Sequence, residues 1–330
     1  MRKNMDYGIK VSKNGEEVLF VKRFFMLFLC VILLTAMPFP ASARGADVQD
    51  SIDEYYDHED TGVTIPYRLI VPETYTPKSK FPLVVFFHGA GERGFENRNQ
   101  LNNCVQQIAD NMPKAIILVP QCAHENQWVD TPWSEGSYSV DHVPESDELC
   151  AVMDLLAEIM QSYSVDKDKV YAAGISMGGY AVWDVMVRHN DVFAAGVAVC
   201  GGGDPSKAGV LKDTPMFVFH GNQDETVPVT GSTDMVEAIR AAGGTKVQYT
   251  EYPGDGHGIW DKVFNLESLY KDLKNCKLSD RYVPEPEATV PSQPGQTPIM
   301  RLLPYLIFGG IGLLVVIFVT VLLIGKKKKV

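Results

Sequence analysis

Short apolar runs alternate with amphipathic segments through the middle of the chain. Runs such as "FPLVVFFHG", "KAIILVPQ" and "FAAGVAVCGGG" are typical of strands covered on both faces. Segments such as "PESDELCAVMDLLAEIMQSYSV" and "TDMVEAIRAAG" space their apolar residues as helices do. The alternation predicts an α/β fold, a mostly parallel doubly wound sheet with helices on both faces, in one domain over residues 48–278. Near its start, Pro66 within "TGVTIPYRLIVPE" predicts an edge strand.

The N-terminal region has the order of a secretory signal. Two basic residues precede the apolar run 24–37, and small residues follow at 41–43. This order predicts a signal peptide over residues 1–43, with cleavage after Ala43. Because the segment before the basic pair is long, a later translation start or an uncleaved anchor stays open.

The C-terminal region predicts a membrane anchor. Residues 304–325 carry no charge and are long enough to cross a bilayer at about 1.5 Å per residue. The basic tail 326–330 is expected in the cytoplasm by the positive-inside rule. Prolines alternate with polar residues over 279–301, which predicts a semi-extended stalk. The chain is thus expected to be a single-pass membrane protein whose N-terminal domain lies outside, in an extracellular or periplasmic space.

Composition and residue spacing argue against nucleic acid and metal ions as partners. The net charge of -11 argues against binding to nucleic acid, which relies on clustered lysine and arginine. Five cysteines follow residue 43, and neither a C-x-x-C pair nor a His/Cys spacing suggests a metal site. We therefore expect no metal.

The stretch "VYAAGISMGG" places Ser176 where a strand becomes a helix. The G-x-S-x-G pattern of a nucleophile elbow is weak evidence alone, but this context is the one it requires. Gly174 and Gly178 relieve crowding at such a turn. The amide of Met177 is then expected to face a developing oxyanion.

Two further strand ends supply partners for a serine nucleophile. Asp224 follows the strand in "FVFHGNQDETVP" and can orient an imidazole, with Glu225 as the alternative carboxylate. His257 lies in the glycine-rich loop "GDGHGIW" and can reach Ser176, whereas Asp255 is poorly placed to orient its ring. The sequence therefore predicts a Ser-Asp-His triad.

A fourth strand end, "FFHGAGERG", offers backbone amides to a negative charge. The amide of Ala90, or failing that Gly91, is the expected second oxyanion donor. His88 and His220 precede glycines at strand ends and are predicted to be structural supports. The spacing of phosphate-binding loops is absent from the sequence here.

The segment "AHENQWVDTPW", residues 123–133, is called the tryptophan loop below. Trp128 and Trp133 are candidates for a wall that contacts an acyl or aromatic group of a substrate. The alternative, equally open at this stage, is that both rings close the core beneath the loop.

The motifs "HGAGERG", "VPQC…QW", "GISMGG", "HGNQDETVP" and "GDGHGIW" together resemble compact α/β-hydrolase esterases related to polyhydroxybutyrate depolymerases and feruloyl esterases. The resemblance covers most of residues 60–275. It implies a sheet of about eight strands, no cofactor, and a serine carboxylesterase that acts on ester substrates, including acyl or feruloyl groups of polysaccharides. It also implies the triad Ser176, Asp224 and His257, with oxyanion donors Ala90 and Met177.

Two other functions stay open on the sequence. Peptidases that cleave after proline share this fold and triad, although the chain lacks the propeller domain common among them. The chain could also be a membrane-tethered binding protein on a hydrolase scaffold. An intact set of three triad residues argues against that second reading.

Overall fold

Eight strands and six α-helices follow one another within residues 45–281, the part of the chain described by this computed structural model. The strands are β1 (Ile52–Asp57), β2 (Thr64–Ile70), β3 (Phe81–Phe87), β4 (Ile116–Pro120), β5 (Val165–Ile175), β6 (Ala195–Val199), β7 (Met216–Gly221) and β8 (Val247–Tyr252). The helices are α1 (Val105–Asn111), α2 (Asp147–Ser162), α3 (Met177–Arg188), α4 (Thr230–Ala241), α5 (Trp260–Phe264) and α6 (Glu267–Leu273).

The strands form one sheet in the order β1-β2-β4-β3-β5-β6-β7-β8. β2 pairs antiparallel with β1 on one side and with β4 on the other. All the following neighbours in this order, from β4 with β3 to β7 with β8, pair in parallel. Parallel neighbours end at the same edge of the sheet, so the loops after β3, β5, β7 and β8 meet there. The predicted mostly parallel α/β fold is confirmed.

Side chains of the central strands are buried on both faces of the sheet. In β3, Leu83, Val85 and Phe87 belong to one apolar cluster, while Val84 and Phe86 belong to the other. This alternation is the period of two expected of a strand, with both faces covered. Apolar residues of α2, α3 and α4 pack in the first cluster and those of α1, α5 and α6 in the second, which confirms the two helical layers.

The edge of the sheet differs from the prediction. β2 is not an edge strand, because β1 pairs along its outer side and places Tyr55 opposite Pro66. The carbonyl of Pro66 accepts a hydrogen bond from the Gln121 amide at 2.7 Å, so the proline still takes part in pairing on its inner side. β1 is the true edge, and its side chains are mostly exposed.

The predicted signal peptide 1–43, most of the stalk 279–301, the span 304–325 and the tail 326–330 lie outside the described residues. Within residues 45–281, no helix combines the length and apolar character that crossing a bilayer requires. The two membrane-related predictions at the chain ends therefore stay predictions.

Candidate active site

Ser176 occupies the turn between β5 and α3 in a conformation that few side chains adopt. Its backbone has φ 53° and ψ -120°, and its amide donates to the carbonyl of Val199 at 2.8 Å. A non-glycine residue at positive φ stores strain, which the surrounding structure must hold. This is the backbone geometry of a nucleophile elbow, which turns the hydroxyl away from both flanking elements.

Glycines allow the elbow to rest directly on β3. A Cβ on Gly178 would collide with the carbonyl of Phe87 and crowd that of His88, and a Cβ on Gly174 would collide with Gly178 itself. Because no larger residue fits, the start of α3 lies against the end of β3. The loop that follows β3 is consequently held beside Ser176.

The structure brings the three predicted residues into one hydrogen-bonded row. His257 Nε2 lies 2.7 Å from Ser176 Oγ, and His257 Nδ1 lies 2.6 Å from Asp224 Oδ2. The ring of Trp260 packs edge-on against the His257 ring with centroids 5.5 Å apart. The side chain of Asp224 is fully buried, whereas that of His257 is 18% exposed. A hydroxyl, an imidazole and a carboxylate are thus in contact in the order that a serine nucleophile, its base and the group that orients the base require.

The two other carboxylates weighed for this role lie elsewhere. Glu225 is exposed, beside the turn that holds Asp224. Asp255 pairs with the ammonium group of Lys262, at 2.6 Å from each of its oxygens. Neither is the partner of His257 Nδ1.

Asp224 is surrounded by hydrogen-bond donors. Its Oδ1 accepts from the amides of Thr226 and Val227, both at 2.9 Å. Its Oδ2 lies 3.1 Å from His220 Nε2 as well as against His257. Burial opposes ionisation, but the donors from His220, His257 and Val227 outweigh it and hold the pKa of Asp224 well below its usual range. A permanent anion stabilises an imidazolium at His257.

The two predicted oxyanion donors open neighbouring helical turns. Met177 is the first residue of α3, and Ala90 is the first residue of a short 3-10 helix, Ala90–Glu92. The first amides of a helix have no acceptor within it. A Cβ on Gly89 would lie 3.5 Å from that of Ser176, so the loop of Ala90 is adjacent to the nucleophile.

His88 holds this loop from below. Its Nε2 accepts the Cys122 amide at 3.0 Å, so its Nδ1 carries the proton and donates to the carbonyl of Gly89 at 2.6 Å. Burial lowers the pKa of His88 to about 4, against the smaller opposing effect of the Gly89 carbonyl. The ring is therefore neutral, as its acceptor role requires. The structure agrees with the predicted supporting role.

Trp128 does not face the site. Its side chain is fully buried, its ring packs edge-on against Phe87, and its Nε1 donates to the carbonyl of His88 at 3.1 Å. The prediction that Trp128 walls a substrate pocket is corrected, because a ring without exposed surface cannot contact a substrate. It closes the core beneath the tryptophan loop, which was the alternative reading.

Trp133 is placed differently from Trp128. It is half-buried, and its carbonyl accepts the hydroxyl of Tyr180 at 2.9 Å, one turn along α3 from the nucleophile. The guanidinium of Arg93 lies 5.8 Å from its ring centroid and donates through Nε to the carbonyl of Ala90 at 3.0 Å. Trp133 therefore stays a candidate for substrate contact. It lines a cavity of about 300 Å³ together with Gln127, Asp130, Thr131 and Pro132.

Among the described residues, one group brings three potential metal ligands together. Ligand atoms of Cys200, His220 and Asp224 all lie within 4.8 Å of one another. Burial raises the pKa of the Cys200 thiol to about 12, and a protonated thiol is a poor ligand. His220 and Asp224 already contact each other, so this group fits a hydrogen-bonded support better than a metal site.

The sequence of this chain matches a family of known enzymes. The sequence model of the phospholipase/carboxylesterase family matches residues 72–276, a range that includes the elbow, Asp224 and His257. The chain belongs to the phospholipase/carboxylesterase family. The predicted membership among α/β-hydrolase esterases is confirmed, and the serine hydrolase class is that of the family.

Two solved structures are similar to this chain in fold, and one curated relative matches a short part of its sequence. A thermostable esterase has 33% identity and a TM-score of 0.61, with 70% of this chain and 64% of that chain covered. A ferulic acid esterase has 18% identity and a TM-score of 0.51, covering 70% and 97%. Esterase LipC of Mycobacterium tuberculosis is 42% identical over 45 residues, 14% of this chain and 11% of its own. The chain thus spans less than two thirds of the thermostable esterase and a small part of LipC.

Two residues that support the site of this protein were not predicted in that role from the sequence. The guanidinium of Arg93 donates through Nε to the carbonyl of Ala90 at 3.0 Å and through Nη1 to the carbonyl of Asn126, in the tryptophan loop, at 3.1 Å. His220 touches Asp224, although the sequence indicated only a generic support. The available signal was its position four residues before Asp224, which a bend after β7 brings into contact.

His88 should make the stability of the protein sensitive to acid. The pKa of His88 is that of an ordinary histidine, 6.5, in the unfolded chain and about 4 in the folded one, so between these values only the unfolded chain takes up the proton. Stability is therefore fully present above this window and falls as pH drops through it, by about 2 kcal/mol near pH 5. Urea unfolding near pH 5 and near neutral pH measures this loss, and His88→Asn should reduce it.

The matched control for this experiment is His124→Asn, at an exposed position of the tryptophan loop. It should show the same loss of unfolding free energy as the wild type. An equal loss in His88→Asn and the wild type would contradict the assignment to His88.

Proposed function

We propose that the protein is a membrane-anchored serine carboxylesterase that cleaves carboxylic esters through an acyl-enzyme. The observation that carries the proposal is the row Ser176–His257–Asp224, with contacts of 2.7 and 2.6 Å. Membership in the phospholipase/carboxylesterase family supports the same reaction class.

In the proposed reaction, His257 Nε2 accepts the proton of Ser176 as Oγ attacks the ester carbonyl. Buried Asp224 holds the ring with its proton on Nδ1 and stabilises the resulting imidazolium. The tetrahedral oxyanion is stabilised by the amides of Met177 and Ala90, which belong to fixed backbone and need no reorganisation. His257 then protonates the leaving alcohol, and water enters by the same route to release the acid.

We propose an ester with an aromatic acyl group, such as a feruloyl ester, as the substrate class. Trp133 supplies a partly exposed aromatic surface on the loop that Arg93 ties to Ala90. The polar groups of the adjacent cavity, Gln127 and Asp130 among them, suit the hydroxyls of a sugar leaving group. Polysaccharide-linked esters are therefore the natural candidates within this class.

The proposed location follows from the chain ends. The apolar run 304–325 and the basic tail after it support a single C-terminal span, and the order of residues 1–43 supports export. On this proposal the catalytic domain stands outside the membrane on the stalk 279–301, in an extracellular or periplasmic space.

Replacing the nucleophile should abolish turnover while leaving the fold intact. Ser176→Ala is expected to lower kcat/KM for a p-nitrophenyl ester by at least about a thousandfold and to prevent labelling by a fluorophosphonate probe. Ser79→Ala, at an exposed loop position, is the control and should keep both properties. Unchanged hydrolysis by a Ser176→Ala protein with a wild-type circular dichroism spectrum would reject the scheme.

Trp133 should matter more for aromatic than for small acyl groups. Trp133→Ala is expected to reduce kcat/KM for methyl ferulate about two- to tenfold relative to p-nitrophenyl acetate, because an aromatic contact contributes about 0.5–1.5 kcal/mol. Acetylated xylan and a prolyl amide complete the panel. If the ratio of kcat/KM for methyl ferulate to that for p-nitrophenyl acetate is the same in Trp133→Ala and the wild type, the proposed aromatic contact is contradicted. If the wild type cleaves the prolyl amide faster than the esters, the peptidase alternative is favoured.

The proposed anchor predicts how the protein fractionates. The full chain should stay in the membrane pellet through an alkaline carbonate wash, whereas a chain that stops at residue 281 should not. Protease added to intact cells or spheroplasts should digest the catalytic domain. Extraction of the full chain by carbonate would contradict the span.

A further inference from the structure

Asp224 is shared by two imidazole rings rather than one. His257 Nδ1 lies 2.6 Å from Oδ2, and His220 Nε2 lies 3.1 Å from the same oxygen. The amides of Thr226 and Val227 occupy Oδ1. Oδ2 therefore lies beside two imidazole rings, and His220 is the ring that the reaction above does not use.

The neighbours of His220 determine where its proton lies. Nε2 faces Asp224 Oδ2 and, at 3.0 Å, the carbonyl of Val227, and both are acceptors. The proton of the neutral ring must therefore be on Nε2. Nδ1 lies 2.8 Å from the hydroxyl of Ser232, which can donate to it and so fix this tautomer.

His220 connects the catalytic carboxylate to rigid elements. Asp224 itself lies in a turn whose neighbours Glu225 and Thr226 are exposed. His220 is fully buried in β7, and Ser232 is buried in α4, where its hydroxyl is also 3.2 Å from the carbonyl of Gly201. The 3.1 Å contact between His220 Nε2 and Asp224 Oδ2 thus connects a loop carboxylate to a strand and, through Ser232, to a helix.

The geometry points to His220 as a positioning residue of this site, which acts on His257 through Asp224 and does not touch the substrate. It has two effects. It fixes the rotamer of Asp224, and it takes a share of the carboxylate charge that otherwise acts on His257 alone. The catalytic part of this inference rests on the proposed function, whereas the coupling of the two rings through Asp224 does not.

Other titratable groups close to this pair are neutral at working pH. Cys200 faces it from the end of β6, and burial raises the pKa of its thiol to about 12. Burial also raises the pKa of Tyr180, on α3, and of Tyr249, on β8. His257 is the imidazole that contacts Asp224 Oδ2 at 2.6 Å, so a change in the charge that Asp224 presents acts directly on this ring. A change in the titration of His257 between variants therefore reports on Asp224 and His220.

The test uses the full-length chain in mild detergent with a matched pair of amide variants. His220→Gln can place an N–H close to the position of Nε2, whereas His220→Asn is one methylene too short to reach Asp224. His220→Phe, which keeps ring volume without a donor, is the third variant. If His220→Phe does not fold, the Gln and Asn pair carries the test alone.

The first readout requires no turnover. The titration midpoint of His257, followed by NMR of imidazole-labelled protein, should rise by roughly half a pH unit or more in His220→Asn, because the undivided charge of Asp224 then stabilises the imidazolium. In His220→Gln it should stay close to the wild-type value. An unchanged midpoint in folded His220→Asn overturns the inference, whatever the activity of the wild type.

The second readout is kinetic. His220→Asn should lower kcat for a p-nitrophenyl ester about tenfold or more with KM nearly unchanged, and should move the acid limb of kcat/KM to higher pH. His220→Gln should recover most of kcat. Equal losses in both variants, with no shift of the acid limb, would indicate a packing role and overturn the inference.

The two proposals fail in different ways. A wild-type protein that neither hydrolyses esters nor reacts with a fluorophosphonate rejects the proposed function. In that case a shifted His257 midpoint in His220→Asn still supports the coupling through Asp224.

Discussion

The first turn of α3 lies against the carbonyls that end β3, at a distance that only glycine permits. Gly178 faces the carbonyls of Phe87 and His88, and this contact sets the position of the elbow relative to the loop after β3. The strained backbone of Ser176 is held because the strand and helix on either side of it are packed in the core. The distance between Ser176 and the amides of Met177 and Ala90 is thus a property of backbone packing, which the strand and the helix fix together.

Backbone acceptors also position the groups around the elbow. The carbonyl of His88 accepts from Trp128, that of Gly89 from His88, and that of Ala90 from Arg93. Each donor is a side chain from the core or from the loop itself, so the backbone of residues 88–90 is held at three successive carbonyls. A loop fixed in this way is preorganised, which is what the proposed oxyanion role requires.

The sequence was most informative where one physical pattern dominated. Continuous apolar runs predicted the central strands, and polar residues after strand ends predicted Ser176, Asp224 and His257 as neighbours. β1 was missed because "IDEYYD" has exposed acidic side chains and no buried alternation, so its pairing with β2 depends on tertiary context. Periodicity also could not decide that Trp128 is buried while Trp133 is half-exposed.

The acidic edge strand β1 has a consequence for contacts between copies of this protein. An unpaired strand edge is a template on which another chain can add a strand. Asp53 of this strand pairs with Arg68 at 2.8 Å, whereas Glu54 and Asp57 leave exposed negative charge along the edge. Two copies that meet edge to edge therefore repel each other, which keeps the sheet from extending from one molecule into the next.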